Sequence, residues 1–487
     1  MQPIILHLDM NSFFASCEQQ DNPAWRGKVL GVCEHLGGII IAASLEAKKW
    51  GIKTGTPVWE ARKLYPKIIL THTRPEAYRN YNRKLVKIVS NYTDEVEVYS
   101  IDEVFLDITA SCNVKFPISN FQFSNNSKIS NFQFQKFPCS RRFILAKILE
   151  WQYADPFEEA IKIAKEIKLR MKKVFGDFLT CSIGIGENKL LAKIASDMQK
   201  PNGLTVVRPS NSCHSGSNKE QGDAGYPESI SRTLGRASLA WDDRQVDVLK
   251  FTKDELYQKL KLIDIPGIGF RMEKRLGELG IKTLANLRNY PKSKLVALFG
   301  LPGYHLYNLG QLSGSFRPEV GQDENIKSMG HMYTLPQEFR KAEFFAPVLY
   351  KLCEMVGRRL RAKKLCGSTL FVHAHDLQDS CFGKIRRLKL SLWDGREIFV
   401  QSLKIFKDLK VANIPCKLVG ITVGDLQEIS NQLSLFKEEE RARRLTEALD
   451  KINLKYGQFT LCRAEMTKAG KVFKDSIGFG RIKEMEE

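Results

Sequence analysis

The chain opens with an apolar strand that stops on an acid. Ile4-Ile5-Leu6-His7-Leu8 runs directly into Asp9. A second acidic pair, Asp102-Glu103, lies in a tight connection between two further strand-like runs, Val96–Tyr99 and Val104–Ile108. Apolar neighbours place these three carboxylates at the margin of a core, where an uncompensated charge is costly. Carboxylates converging from separate elements repel one another unless cations neutralise them. A hard divalent ion with oxygen ligands, Mg²⁺ first, matches such a cluster. Two such ions can lower the pKa of an attacking hydroxyl and stabilise a leaving oxygen. Asp and Glu are also common solvated turn residues, so composition alone leaves both readings open. Asp107 alternates with its apolar neighbours and reads as a structural hydrogen-bond partner.

Around these acids the pattern is mixed. Asn11 or Ser12 can cap a helix that opens at Phe13-Phe14-Ala15-Ser16-Cys17-Glu18. Gly38–Ala43 reads as a strand and Leu45–Lys49 as a helix. Helical segments recur around Glu76–Ser90 and Phe157–Phe175. Leu179–Ile185 is another strand, and the helix Asn188–Gln199 stops at the breaker cluster Pro201-Asn202-Gly203. Strands and helices mixed in this way predict an α+β domain. Two segments interrupt it. Residues 111–139 repeat Ser-Asn-Phe-Gln-Phe at 119–123 and 130–134, which is compatible with an extra hairpin or with a mobile segment. Residues 208–228 read as a disordered insertion. Neither is assigned chemistry.

The rest of the chain is basic. Lys and Arg number 75 against 55 Asp and Glu, a net charge of +20 over 487 residues. That excess favours a polyanionic partner, most simply nucleic acid, and the length predicts two to four domains. Residues 250–320 are helical and carry Ile265-Pro266-Gly267-Ile268-Gly269 followed by basic Arg271–Leu279. This is a helix-hairpin-helix pattern, in which Gly267 and Gly269 let backbone N–H groups approach a phosphate and Arg271 adds charge. A plain glycine-capped helix pair is the alternative. Residues 325–475 contain Arg358-Arg359-Leu360-Arg361 and Lys384-Ile385-Arg386-Arg387-Leu388-Lys389, the latter leading into alternating Leu388, Leu390 and Leu392. A sheet with one basic face would suit a duplex backbone. A solvated helix and an ordinary edge strand fit each run equally well.

Other classes recede. No apolar run approaches the roughly 20 residues that span a bilayer, and Met1–Asp9 lacks the basic start of a signal peptide. Eleven cysteines form no Cys-x-x-Cys pair, so a structural zinc site is not expected and reduced thiols in a cytosolic protein are. Eight histidines show no His-Glu-x-x-His spacing, which argues against a zinc hydrolase.

Several motifs in order carry a resemblance. They are Leu8-Asp9-Met10-Asn11-Ser12-Phe13-Phe14-Ala15, Glu46-Ala47-Lys48-Lys49-Trp50-Gly51-Ile52-Lys53 and Ser100-Ile101-Asp102-Glu103-Val104-Phe105-Leu106-Asp107. Gly184-Ile185, Leu191–Asp197, Lys200-Pro201-Asn202-Gly203, the helix-hairpin-helix and Lys327-Ser328-Met329-Gly330-His331 follow. Together they resemble the bacterial Y-family, or translesion, DNA polymerases of the DinB and UmuC-like branches, over nearly the whole chain apart from the two insertions. The resemblance implies an α+β right hand. The palm, with a ferredoxin-like core, takes residues 1–20 and 76–249, and small fingers take 21–75. A helical thumb with the hairpin motif takes 250–320, and a C-terminal α/β little finger takes 325–475.

By the same resemblance Asp9, Asp102 and Glu103, with the backbone carbonyl of Met10, match the ligands of two Mg²⁺ ions. Phe14 matches the steric gate, a ring that leaves no room for a ribonucleotide 2′-hydroxyl. From the residues alone Phe14 reads as a core aromatic. Lys48 and Lys200 match contacts to the incoming triphosphate, where lysine acts as a point charge. The little finger implies DNA contacts from Arg358, Arg359, Arg386 and Arg387, beside those of the hairpin. The chain departs from the family at Leu45-Glu46-Ala47-Lys48, where many DinB-like members have Tyr-x-x-Arg and UmuC-like members also use lysine. Gln432-Leu433-Ser434-Leu435-Phe436 resembles the sliding-clamp-binding motif, with Gln432, Leu433, Leu435 and Phe436 as contacts; a buried edge strand is the alternative. The implied activity is template-directed, low-fidelity addition of deoxynucleotides to a primer 3′ end in DNA damage tolerance, by a cytoplasmic, nucleoid-associated monomer. A catalytically inactive DNA- and clamp-binding scaffold of the same fold, and a two-metal nuclease, are the competing readings.

Overall fold

The structure is a computed structural model. It describes residues 2–34, 38–112, 155–209, 247–314, 318, 326–378, 380–411, 414–429, 437–457 and 459–469. The two expected insertions lie outside the described residues from 113 and from 210 onward, and so does 432–436.

The acid-bearing strands sit side by side in one sheet. β1 (Ile5–Met10) is flanked by β6 (Glu103–Asp107) and β7 (Cys181–Gly186), and β5 (Val96–Val98), β8 (Leu204–Arg208) and β9 (Val248–Thr252) complete the order β5-β6-β1-β7-β8-β9. β1 is antiparallel to both neighbours, and its register sets Asp9 opposite Glu103 on one side and Ser182 on the other. Alternation then sorts the faces. Leu6, Leu8 and Met10 join Val104 and Leu106 under two long helices, α4 (Pro75–Val89) and α5 (Pro156–Phe175), in the largest core. Ile5 and Phe105 point the other way, against Ala192 of α6 (Lys189–Met198).

Helix α6 lies unusually close to the sheet. A Cβ placed on Gly184 would sit 2.0 Å from the Ala192 carbonyl oxygen and 2.2 Å from the Ser196 amide nitrogen. Only glycine permits that approach, because both obstacles are backbone atoms. Asn188 caps α6, its Oδ1 accepting from the Leu191 amide at 2.8 Å, and its Nδ2 donates to the Leu312 carbonyl at 3.1 Å.

The chain leaves this sheet after α1 (Phe13–Asp21) and returns at α4. Between them β3 (Ile40–Ala43), β2 (Leu30–Cys33) and β4 (Ile69–His72) make a small sheet covered by α2 (Leu45–Lys49) and α3 (Val58–Leu64), with its own core of Val29, Ile40, Ala47, Ile52 and Ala61. Ser44 caps α2 through the Ala47 amide at 3.2 Å.

Helices α7 (Lys253–Lys259), α8 (Phe270–Glu278), α9 (Leu284–Asn289), α10 (Lys292–Phe299) and α11 (Leu301–Gly310) share a core with Leu191, Ile194 and Ala195 of α6. Gly267, in the hairpin ahead of α8, has φ +99°, a conformation that suits glycine. The last module is a sheet of order β10 (Ser328–Thr334), β13 (Cys416–Glu428), β11 (Leu365–Asp376), β12 (Cys381–Leu392). Helices α12 (Ala342–Ala362) and α13 (Gly395–Asp408) cover one face of it. α14 (Lys437–Tyr456) is tied on through Arg361, which bonds Asp450 Oδ2 at 2.6 Å and Glu354 Oε1 at 2.7 Å. The simple alternation expected at Leu388, Leu390 and Leu392 is broken by a bulge. Gly367 pairs with Leu392 but Thr369 pairs with Arg387, so Leu392 is buried and Leu390 is not.

Candidate active site

Three acids meet at the end of β1. Asp9 and Glu103 are cross-strand partners, and Asp102 precedes Glu103 with its carbonyl accepting from the Met10 amide at 2.9 Å. That bond fixes Met10 and the Asp102–Glu103 bend to one another. Each carboxylate has its own partner. Asp9 Oδ2 meets Lys200 Nζ at 2.7 Å, Glu103 Oε1 meets Lys193 Nζ at 2.8 Å, and Asp102 Oδ1 accepts from Ser100 Oγ at 2.6 Å. Among the described residues no three His, Cys, Asp or Glu side chains are gathered into a ready-made metal cluster. Like charges repel, and each acid is turned to a lysine or a hydroxyl.

Burial dominates the electrostatics of the site. Burial lifts Asp9 to about 7, with Glu103 adding to the rise and Lys200 opposing it. Asp102 is raised as well, mainly by burial, against the Ser100 hydrogen bond. Carboxylate oxygens from Asp9 and Glu103, on adjacent strands of one sheet, and from Asp102, just ahead of β6, are the hard donors that a divalent cation takes. The residues therefore fit a divalent ion.

Lys200 also bonds Asp197 Oδ1 at 2.6 Å. Lys48, from the small sheet's helix α2, is lowered by burial, then by Lys200, and raised by Asp9. The two expected triphosphate contacts come from different modules, and each feels the charge of Asp9. Phe14, on α1, is 4% exposed and stacked on Tyr78 of α4, centroids 4.3 Å apart and planes 13° apart. Lys193 and Asp197, which sequence reasoning left unassigned, join this cluster through Glu103 and Lys200. Both lie inside the quoted Leu191–Asp197 motif, and their spacing of four puts them on one helix face.

The expected DNA-contact residues are split. Gly267, Gly269 and Arg271 are exposed together at the hairpin before α8. Arg387 is exposed on β12, whereas Arg386 faces the helical layer and pairs with Asp408 at 2.5 Å. Arg358 and Arg359 are half-buried on α12. Arg359 Nη1 donates to the Gly330 carbonyl at 3.2 Å, and the Arg358 guanidinium lies 5.7 Å from the Phe459 ring centre.

A carboxylate-bearing palm sheet with small fingers, a helix-hairpin-helix thumb and a C-terminal α/β module defines a right-hand polymerase with divalent-metal dependence. The impB/mucB/samB family model matches residues 8–197, and that family's C-terminal domain matches 326–435. A model described as the DNA polymerase-iota thumb domain matches 263–311. The chain is 30% identical over 474 residues to the DNA polymerase IV of Pelotomaculum thermopropionicum, covering 96% of each. It is 29% identical to DNA polymerase IV 1 of Bacillus subtilis, over 93% of this chain and 91% of that one. Among solved structures, a Y-family DNA polymerase chimera of Dbh shares the fold with a TM-score of 0.61 at 23% identity, covering 88% of this chain and 100% of that one. The chain belongs to the impB/mucB/samB family, the Y-family DNA polymerases of bacteria.

Proposed function

We propose that this protein performs template-directed DNA synthesis of the translesion type, with Asp9, Asp102, Glu103 and the Met10 carbonyl holding two Mg²⁺ ions. The observation that carries this reading is the register of β1 and β6, which sets Asp9 opposite Glu103, with Lys200 paired to Asp9 at 2.7 Å. When bound, the ions supply the charge that activates a primer 3′-hydroxyl and stabilises the leaving pyrophosphate. The chain's own residues do the positioning. Lys48 and Lys200 bind and orient the triphosphate, and Phe14 closes the space beside the sugar C2′. Gly267, Gly269 and Arg271 grip the DNA backbone without reading its sequence.

The test is extension of a labelled primer on undamaged template, comparing the wild-type chain with a double change of Asp102 and Glu103 to alanine. Wild type is expected to give short products and the variant none, while both bind primer–template. Binding without extension by either chain would replace this reading with the inactive scaffold, and shortened primer would replace it with a nuclease.

The segment Gln432-Leu433-Ser434-Leu435-Phe436 binds the bacterial sliding clamp, raising local concentration on DNA and offsetting a weak intrinsic grip. Alanines at Gln432, Leu435 and Phe436 are expected to abolish clamp binding and spare unassisted extension; losing both would make the segment structural. The protein works as a monomer in the cytoplasm, on the nucleoid when engaged. Among the described residues no helix is long and apolar enough to cross a membrane.

A further inference from the structure

Beneath Phe14 lies a buried polar assembly that the reaction itself does not use. Tyr78 is fully buried, and its ring forms the floor on which Phe14 stacks. Its hydroxyl donates to Glu18 Oε1 at 2.7 Å. Glu18 lies four residues after Phe14 on α1, hence one turn along the same face. It is 2% exposed, and its two oxygens share the single Arg74 Nε–H in a bifurcated bond, at 2.8 and 3.0 Å. Arg74 extends the network, donating from Nη2 to Asp21 Oδ2 at 2.6 Å, and Tyr81 donates to Asp21 Oδ1 at 2.5 Å. Tyr78 therefore spans α1 as a strut, ring against Phe14 and hydroxyl against Glu18.

The place of these residues in the chain matters as much as their contacts. Asp21 is the last residue of α1, where the chain leaves the palm sheet for the small sheet, and Arg74 immediately precedes α4, where it returns. One guanidinium thus fastens both crossings. Gln19, between them and 3% exposed, bonds the carbonyls of Trp25 and Lys28 at 3.3 and 3.1 Å and Glu46 Oε2 at 3.1 Å. Glu46 sits two residues before Lys48 on α2. A displacement of α1 against α4 would shift Phe14.

We infer that Glu18, Tyr78 and Arg74 are positioning residues for sugar selection: they lock the Phe14 ring at the height that excludes a 2′-hydroxyl. A gate works only if it cannot yield. A phenyl ring held by packing alone can shift by a fraction of an ångström at small cost, and that fraction is what a hydroxyl requires. The stack fixes the ring from below, and the Tyr78–Glu18–Arg74 chain removes the freedom of the floor itself. Glu18 is suited to this because a buried carboxylate held by a hydroxyl and a guanidinium N–H in fixed directions tolerates little movement. The inference rests on Phe14 as the gate, so the experiment separates the two.

The measurement is single-nucleotide insertion with a deoxynucleotide and its matching ribonucleotide, read as the ratio of the two kcat/KM values. Phe14→Ala tests the gate and is expected to collapse the ratio. Tyr78→Phe keeps the stacked ring and removes only its hydroxyl, and Glu18→Gln keeps the side-chain shape and removes its charge. Each is expected to lower the ratio by about tenfold, the scale of one charge-assisted hydrogen bond. Deoxynucleotide insertion should stay within about threefold of wild type, since neither residue touches substrate. Tyr78→Leu, which removes floor and bond together, is expected to lower the ratio further. A merely structural role would depress both insertions in parallel and leave the ratio unchanged. That result, with Phe14→Ala still permissive, overturns the inference. An unchanged ratio in Phe14→Ala overturns the gate assignment itself. Should Glu18→Gln melt below the assay temperature, Tyr78→Phe carries the test alone.

Discussion

On the proposed function Lys48 meets the incoming triphosphate with an ammonium, where a guanidinium would present a planar fork. Its proton is loosened by burial and by the Lys200 charge, with Asp9 pulling the other way. Leu45, one turn earlier on the same short helix, supplies no hydroxyl. Replacing Leu45 with Tyr and Lys48 with Arg introduces one neutral donor and one forked, charged one. The expected result is a nucleotide KM lower by roughly tenfold in steady-state insertion, with kcat little changed, on the scale of about 1–2 kcal/mol for the added hydrogen bonds to phosphate. An unchanged KM would mean that Lys200 alone sets triphosphate affinity.

At the scale of elements, the α6–β7 contact decides whether the site exists. α6 carries Lys193 to Glu103 and Asp197 to Lys200, and it can do so only because Gly184 lets its backbone settle on the sheet. Gly184→Ala places a methyl group against a carbonyl oxygen and an amide nitrogen that cannot step aside. The expected cost is about 2–4 kcal/mol of stability. Chemical denaturation measures it, and loss of extension activity should accompany it even where the variant remains folded. The same contact marks where sequence reading stops. β1 and the Asp102–Glu103 bend were legible because apolar runs broken by acids admit few placements in a core. The Lys193–Glu103 and Lys200–Asp9 pairs were not, because they depend on how closely a helix approaches a sheet, a property of tertiary packing. Phe14, buried at 4%, has the periodicity of any core aromatic, so its assignment as a gate rests on the motif alone. Arg386 and Arg387 were indistinguishable for a related reason. Which of two adjacent strand residues faces the helices is a matter of parity, and the bulge ahead of Leu392 unsettles parity in that strand.

At the scale of the whole molecule, a net charge of +20 is useful only where it is free to meet phosphate. Some of the expected cations are committed within the protein. Arg386 opposes buried Leu370 of β11 in register and is paired with Asp408, and Arg359 donates to a backbone carbonyl. Arg387, one residue on, opposes Thr369 and is exposed on the other side of the sheet. If that open side lies along DNA, each phosphate neutralised there releases counterions and contributes about 0.9 to the slope of log affinity against log salt. Arg387→Ala should then reduce the magnitude of that slope by about 1 and weaken binding evenly across template sequences. Arg386→Ala should leave the slope unaltered and cost at most about 1 kcal/mol of stability through its lost, largely solvent-screened pair. Titration of labelled primer–template at several salt concentrations separates the two substitutions. Equal slopes for Arg387→Ala and wild type would place the DNA away from the open face of this sheet, and would leave the hairpin around Gly267 and Arg271 as the principal grip.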